Sequence, residues 1–469
     1  MKQTKIVATI NATTATVQLI DELYRNGMDV VRINSAHTTI EDMDRLVKIV
    51  REVSDKLAIM VDTKGPNIRT ANIENPVTLA KGDQIEVTGE TVPQSEAIQV
   101  NYPKFAAEVK VGQRIVFDDG EMALRVLRKN PKTLSSEALC DGVIKNRKSV
   151  NVPDAELKTP ALTMKDRDFI DYAIRNGLDF IAHSFVRGAN DVMAVKSILE
   201  TSDSPIKIIA KIENRQGVDH LEEILDVADG VMVARGDLGI EIPLEEVPLT
   251  QKAMIRACVR RGKPVITATQ MLQRMEEFPL PTRAEVNDVA NAVYDGTDAV
   301  MLSGETAQGK YPVEAVSMMR RILEVTEKSP QTYFTKVTDI SEAGRDDIHR
   351  FMVHAAVDAA NELPIRSIIC NSSSGDTPRL CSALRPKLPI YTFSYRPTVV
   401  RQLSLTYGVI PMHQTFIENL QELQKITAET LVAQAGFSGE DKVIVLTKNI
   451  ESKEYNNLFC VAELNDFLN

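Results

Sequence analysis

Lys207-Ile-Ile-Ala-Lys-Ile-Glu-Asn214 and Gly230-Val-Met-Val-Ala-Arg-Gly-Asp-Leu-Gly-Ile-Glu-Ile-Pro243 are the stretches on which the fold turns. Each opens as an apolar run short enough for a buried strand and ends abruptly in charge. Side chains alternate across a strand, so Lys211 and Glu213 are expected on one face, and Arg235 and Asp237 on one face of the next strand. A lysine and two carboxylates at the ends of rigid strands suit a divalent cation and an anionic substrate. Buried charge is costly unless paired or metal-bound, so these residues point to a function.

The pattern recurs along the chain. Val30-Val-Arg-Ile-Asn34 ends in Arg32 and Asn34, and Ile59-Met-Val-Asp-Thr-Lys64 in Asp62 and Lys64. Phe180-Ile-Ala-His-Ser-Phe-Val-Arg187, Pro264-Val-Ile-Thr-Ala-Thr-Gln270 and Ala299-Val-Met-Leu-Ser-Gly-Glu-Thr306 follow the same rule. With Lys5-Ile-Val-Ala-Thr-Ile10, these runs make eight buried-type strands separated by helix-length amphipathic segments. Polar groups at the C-terminal ends of eight alternating strands describe a TIM (β/α)8 barrel with its site on top. A doubly wound open sheet, which also places ligands at strand ends, is the alternative.

One large interruption follows the third strand. From residue 67 to 153 short alternating runs are separated by the turn signals Lys81-Gly-Asp83, Val111-Gly-Gln113, Asp118-Asp-Gly120 and Asn130-Pro131. This reads as a small β-barrel inserted as a lid, dividing the barrel into residues 1–66 and 154–332. Residues 333–469 read as a separate C-terminal α/β domain. It has a helix from Asp346 to Asn361 and strands near Ser367–Cys370, Ile390–Ser394, Val443–Thr447 and Leu458–Leu464. Asn371-Ser-Ser-Ser-Gly-Asp-Thr377 lies between a strand and a helix, where it suits either a bound phosphate or an ordinary helix cap.

Composition excludes several classes. A net charge of −10 argues against nonspecific nucleic-acid binding, so anionic ligands need a local basic site. Arg32, Lys64, Arg69, Lys148 and Lys211 supply candidates. The five cysteines have no metal spacing and are expected to stay reduced in a cytosol. No signal peptide and no membrane-spanning run is read, so a cytoplasmic chain without membrane contact is expected.

Longer motifs then carry a resemblance. Ala210-Lys-Ile-Glu-Asn214, Met232–Pro243, Ala268-Thr-Gln-Met-Leu272, Pro281-Thr-Arg-Ala-Glu285, Asp288-Val-Ala-Asn-Ala292 and Met301-Leu-Ser-Gly-Glu-Thr-Ala307 resemble pyruvate kinase, as do Asp62-Thr-Lys-Gly-Pro66 and Ile68-Arg-Thr70. The likeness runs in order from Thr4 to about Lys328 and weakens toward the C-terminus. It implies phosphoryl transfer from phosphoenolpyruvate to ADP, giving pyruvate and ATP in the last step of glycolysis. It further implies Mg²⁺ (or Mn²⁺) on Glu213 and Asp237, and Lys211 against the transferring group. Arg32 would hold the phosphate, and Gly236, Asp237 and Thr269 the carboxylate. Arg69, Lys148 and His37 match the nucleotide side, and Asn34, Asp62 and Thr63 a K⁺ site. A homotetramer is implied by the family. Arg235 reads as a brace for neighbouring carboxylates that does not touch substrate, and His183 as packing or support. Ser303 and Glu305 either order a proton-delivering water or tie the rim together.

The chain departs from the family in places. Asn11-Ala-Thr-Thr14 replaces the usual Gly-Pro-Ala-Ser turn, and Ala36 a serine that helps bind K⁺. Asn67 stands where potassium-dependent members carry Glu and potassium-independent ones Lys, and Ser149 replaces a glycine beside Lys148. Thr447-Lys-Asn-Ile-Glu-Ser-Lys453 stands in place of a glycine-rich effector loop. None of these touches Lys211, Glu213, Asp237 or Arg32. Two rivals are weighed: another Mg²⁺-dependent barrel enzyme acting on an enolate, such as a lyase, and a non-catalytic relative. The first is opposed by Asp62-Thr-Lys-Gly-Pro66 and the lid, the second by the intact quartet.

Overall fold

The computed structural model describes residues 2–91, 96–153, 155–329, 348–448 and 457–468. Eight parallel strands close on themselves: β1 (Lys5–Thr9), β2 (Val30–Asn34), β3 (Ala58–Asp62), β4 (Phe180–His183), β5 (Lys207–Ile212), β6 (Gly230–Ala234), β7 (Val265–Ala268) and β8 (Ala299–Leu302). The barrel, not the open sheet, is the fold. Alternation sorts each strand into two cores. Val7, Val30, Met60, Phe180, Ile209, Met232, Ile266 and Met301 fill the interior, while Ile6, Val31, Ile59, Ile181 and Ile208 pack outward under the helices. The inward rows turn polar near their C-terminal ends, which brings Arg32, Asp62 and Lys211 to one mouth.

Threonines start several helices. Thr16 caps Val17–Arg25 and Thr39 caps Ile40–Val53. Thr163–Asp166 and Thr282–Glu285 form reciprocal capping boxes on Met164–Arg175 and Arg283–Asp295.

Between β3 and Met164–Arg175 lies a seven-stranded, mostly antiparallel sheet with a two-stranded ribbon, wrapped around Phe105, Phe117, Leu124 and Leu134. Its ends meet: Thr70 N–H donates to the Lys148 carbonyl and Val150 N–H to the Ile68 carbonyl, both at 2.9 Å. That closure gives the inserted region its barrel character.

The C-terminal sheet contains Ser367–Asn371, Ile390–Ser394, Val409–His413, Lys442–Lys448 and Asn457–Glu463, with Val409–His413 at one edge. This edge strand was absent from the sequence reading; Pro411 within it masks the pattern and is tolerated at an edge. The helix expected from Asp346 is described from Ile348 to Glu362. The expected boundary at 332/333 and most of the Thr447–Lys453 segment lie outside the described residues.

The C-terminal region seals the barrel's lower end. Leu405 joins the interior cluster of Val7, Val30, Ala58 and Met60. Around it, Arg385 pairs with Asp298 at 3.0 Å, Arg401 with Asp179 at 2.6 Å, and Lys5 Nζ donates to the Val409 carbonyl at 2.6 Å. Among the described residues, no helix is long and apolar enough to cross a membrane.

Candidate active site

Asp62, at the tip of β3, is the hub. Its Oδ2 accepts from Arg32 Nε at 2.7 Å and its Oδ1 from Lys211 Nζ at 3.0 Å. Arg32 Nη1 also donates to Thr9 Oγ1 at 2.9 Å. Lys211 Nζ makes two further contacts, Ser184 Oγ at 2.8 Å and Glu213 Oε1 at 2.9 Å, so its three donors have three acceptors. The other Glu213 oxygen accepts the Phe185 N–H at 2.6 Å. Lys211 and Glu213 thus share a face as expected.

Arg235 and Asp237 do not. Strand β6 stops at Ala234, and Arg235–Glu241 is a short helix, so the period changes and the two side chains part. Asp237 turns toward Lys211, whose charge its carboxyl feels, and toward Glu213, with which it shares a hydrogen bond. Arg235 turns away, pairing with Asp288 at 2.7 Å and donating to the Ala268 and Thr269 carbonyls at 3.2 and 2.7 Å. The carboxylate brace expected from the sequence is met at Asp288 alone; the other donors hold backbone. That backbone is strained: Thr269 and Gln270 have φ of 67° and 55°, in the left-handed region. Thr269 Oγ1, fixed there, accepts the Gly236 N–H at 2.7 Å.

Burial sets the electrostatics. It works against the charge on Asp62, yet Arg32 and Lys211 together hold that carboxyl below its usual range. Burial likewise works to discharge Lys211, but Asp62 and Glu213 keep it above the ordinary lysine range. Glu213 is the reverse case: burial pushes it up to about 7, more than Lys211 offsets, with Asp237 adding repulsion. Asp237 is raised by burial too. Three carboxylates therefore face two cations, and the two left under-compensated are Glu213 and Asp237. They fit a divalent cation in an oxygen site that keeps waters and recruits substrate. No group of three or more His, Cys, Asp or Glu that could by itself hold a metal occurs among the described residues.

The remaining candidates divide. Asn34 and Asp62 are register partners on β2 and β3, with Thr63 next along, so the K⁺ candidates do come together. Their oxygens are engaged: Asn34 Oδ1 accepts the Ala36 N–H at 3.0 Å, and Thr63 Oγ1 the Ser184 N–H at 3.0 Å. His37 is exposed on the turn after β2. Arg69 donates to the Arg147 carbonyl at 2.8 Å, and Lys148 pairs with Asp118 at 2.7 Å on the inserted sheet. His183 is fully buried, 3.5 Å from Thr63 Oγ1, and burial pulls its pKa down to about 4, so it supports as a neutral ring. Glu305 accepts the Ser303 and Leu272 N–H groups at 2.7 and 3.0 Å, favouring the rim-tying reading over proton delivery. In the C-terminal sheet, Ser372 Oγ accepts the Gly375 N–H at 3.0 Å as a local turn cap, beside a cavity of about 350 Å³.

Ser184, Phe185 and Asp166 were missed. Asp166 accepts the Lys64 N–H at 2.8 Å and shapes the turn after β3, where Gly65 (φ 66°) lets the Phe185 ring approach; a Cβ there would lie 2.7 Å from Phe185 Cδ2. The one available signal was Ser184 itself, a hydroxyl in phase with Phe180 and Ala182 on the inward row of β4.

A closed (β/α)8 barrel with a buried lysine–carboxylate cluster at its mouth, beside an inserted sheet, defines a class: barrel enzymes that handle anionic substrates through charge neutralisation. Comparison with known proteins narrows it. Residues 1–316 match the family model described as pyruvate kinase, barrel domain, and residues 351–462 that described as pyruvate kinase, alpha/beta domain. The pyruvate kinase of Borreliella burgdorferi is 42% identical over 453 residues, covering 96% of this chain and 94% of that protein. Those of Geobacillus stearothermophilus and Bacillus licheniformis are 41% and 40% identical, covering 100% and 99% of this chain and 81% of each relative. The chain belongs to the pyruvate kinase family, phosphotransferases of glycolysis that carry the phosphoryl group of phosphoenolpyruvate to ADP with a divalent metal ion.

Proposed function

We propose that this chain performs that transfer with Lys211 and Arg32 at the reacting phosphate, and with Glu213 and Asp237 holding Mg²⁺. The observation that carries the reading is the cluster around Lys211: a lysine kept charged in a buried site by Asp62 and Glu213, with Glu213 and Asp237 the two carboxylates pushed up by burial. Phosphoryl transfer needs alignment and neutralisation more than covalent help. Arg32 Nη2, which makes no hydrogen bond among the described residues, offers its edge to a phosphate oxygen. Lys211 stabilises charge that grows on the enolate oxygen as the phosphoryl group leaves. Thr269 Oγ1 and the N–H groups of Gly236 and Asp237 receive the carboxylate, replacing the Thr269–Gly236 bond. A divalent cation on Glu213 and Asp237 supplies Lewis-acid neutralisation of substrate charge.

Arg69, Lys148 and His37 are assigned to the nucleotide on the family resemblance, with Lys148 exchanging Asp118 for a phosphate. Asn34, Asp62 and Thr63 are assigned to a weak K⁺ site. The units are taken as 1–66 with 154–332, 67–153, and 333–469. Assembly as a homotetramer is taken from the family resemblance.

Lys211→Met tests the centre. It should leave the fold and metal binding largely intact and lower kcat by several orders of magnitude, because the lost charge acts in the transition state. A rise in KM with kcat near that of the parent would exclude the role given to Lys211.

A further inference from the structure

The inserted sheet joins the barrel through two segments, Pro66–Ile68 and Val150–Val152, and both line one crevice of about 90 Å³. Glu241 lines the same crevice. Across it, Asn151 Nδ2 donates to Glu241 Oε1 at 2.7 Å. Glu241 is the last residue of the helix Arg235–Glu241, one turn from Asp237, or roughly 6 Å along the axis. That helix has no side-chain cap at its start and only two turns. Its first turn is tied by Gly236 N–H to Thr269, and its last by Asn151. The turn at Asp118–Gly120 of the inserted sheet also packs on it, and the charge of Asp119 is felt at Asp237. A rigid swing of the sheet about its two connections therefore pulls on Glu241, and through one helical turn on Asp237 and Gly236.

We propose that the Asn151–Glu241 hydrogen bond is the latch by which the inserted sheet sets the metal- and carboxylate-binding turn, making Asn151 and Glu241 positioning residues for the transfer. The inference rests on the assignment of Gly236 and Asp237 above. Neither latch residue touches substrate; the bond passes the sheet's position to the residues that do.

The test uses the full chain. Amide hydrogen exchange in residues 235–241 is followed with and without ADP in chelator, and steady-state kinetics are run separately with Mg²⁺ present. In the parent and in Glu241→Gln, which keeps the acceptor, ADP should slow exchange in that segment. Asn151→Ala and Glu241→Ala should lose this ADP response and lower kcat/KM for phosphoenolpyruvate by roughly tenfold, the size of a typical coupling between sites. Asn151→Asp, which sets two carboxylates together, should fail likewise. Combining it with Glu241→Gln re-forms the bond with donor and acceptor exchanged and should restore both readouts, which a folding defect would not do. The latch is overturned if Asn151→Ala keeps the ADP response and the parent's kcat/KM, or if the exchanged pair is no better than Asn151→Asp alone. Asp237→Asn serves as the control. Unchanged metal titration there removes Asp237 from the ligand set, whereas parent-like Asn151→Ala with a metal-defective Asp237→Asn removes only the latch.

Discussion

Replacing Glu213 with Gln should make the metal-free protein more stable while destroying its metal site. Glu213 is 1% exposed, and burial raises its carboxyl to about 7 from an ordinary 4.5, even with Lys211 2.9 Å away. The folded state therefore holds a proton that the unfolded chain releases, and stability falls as pH rises between those two values. Above pH 7 the ionised carboxylate costs the fold up to roughly 3 kcal/mol; below about 4.5 the cost vanishes. Gln keeps an acceptor for the Phe185 N–H and removes the charge. In chelator at pH 8, the variant's barrel transition should rise by several degrees, at about 2–4 °C per kcal/mol for a unit of this size. At pH 4.5 the two proteins should melt together. Calorimetry across that range, with parallel Mn²⁺ titrations showing lost affinity in the variant, checks both halves. A variant no more stable than its parent at pH 8, or a gain that grows as pH falls, would refute the claim that burial outweighs Lys211 at this carboxylate.

K⁺ should stimulate activity only a few-fold, since Ala36, beside Asn34, lacks a hydroxyl and Asn67 lacks the carboxylate that potassium-dependent members carry there. Activity in K⁺ against a bulky organic cation at matched ionic strength decides it: a roughly hundredfold effect, about 2.7 kcal/mol of barrier, would sink the idea. If stimulation is weak, Ala36→Ser with Asn67→Glu should restore it. Fructose bisphosphate should activate poorly, because the described lining of the 350 Å³ C-terminal cavity contains no lysine or arginine to neutralise a second phosphate. A large fall in apparent KM at micromolar bisphosphate would contradict this.

The barrel was legible because most of its strands run apolar on both faces through their middle and turn polar near the tip, and few other folds need that run repeated with charged ends. Lys211, Glu213, Arg32 and Asp62 were legible for the same reason: they interrupt such runs. The end of β6 was not, because Val-Met-Val-Ala-Arg-Gly-Asp keeps its alternation past the point where the helix begins. Phe185 acts through its backbone N–H, which leaves no mark on residue identity. The Lys148–Asp118 pair is set by strand pairing across thirty positions, beyond any local pattern. Asp62 was read as a cation ligand, and its central place emerges only when β2, β3 and β5 are brought around one axis.

Leu405, seated in the barrel floor, has a consequence for how the chain is made. The last barrel strand ends at Leu302, so roughly a hundred more residues must leave the ribosome before the side chain that completes the interior layer exists. At about 5–20 residues per second, the nascent barrel waits roughly 5–20 s with its floor open. During that interval Val7, Val30, Ala58 and Met60 lack their capping neighbour, Asp298 lacks Arg385, and Asp179 has Arg51 but not Arg401. A ribosome-bound chain ending near residue 330 should accordingly be a chaperone client, and release from it should track the emergence of residues 385–409.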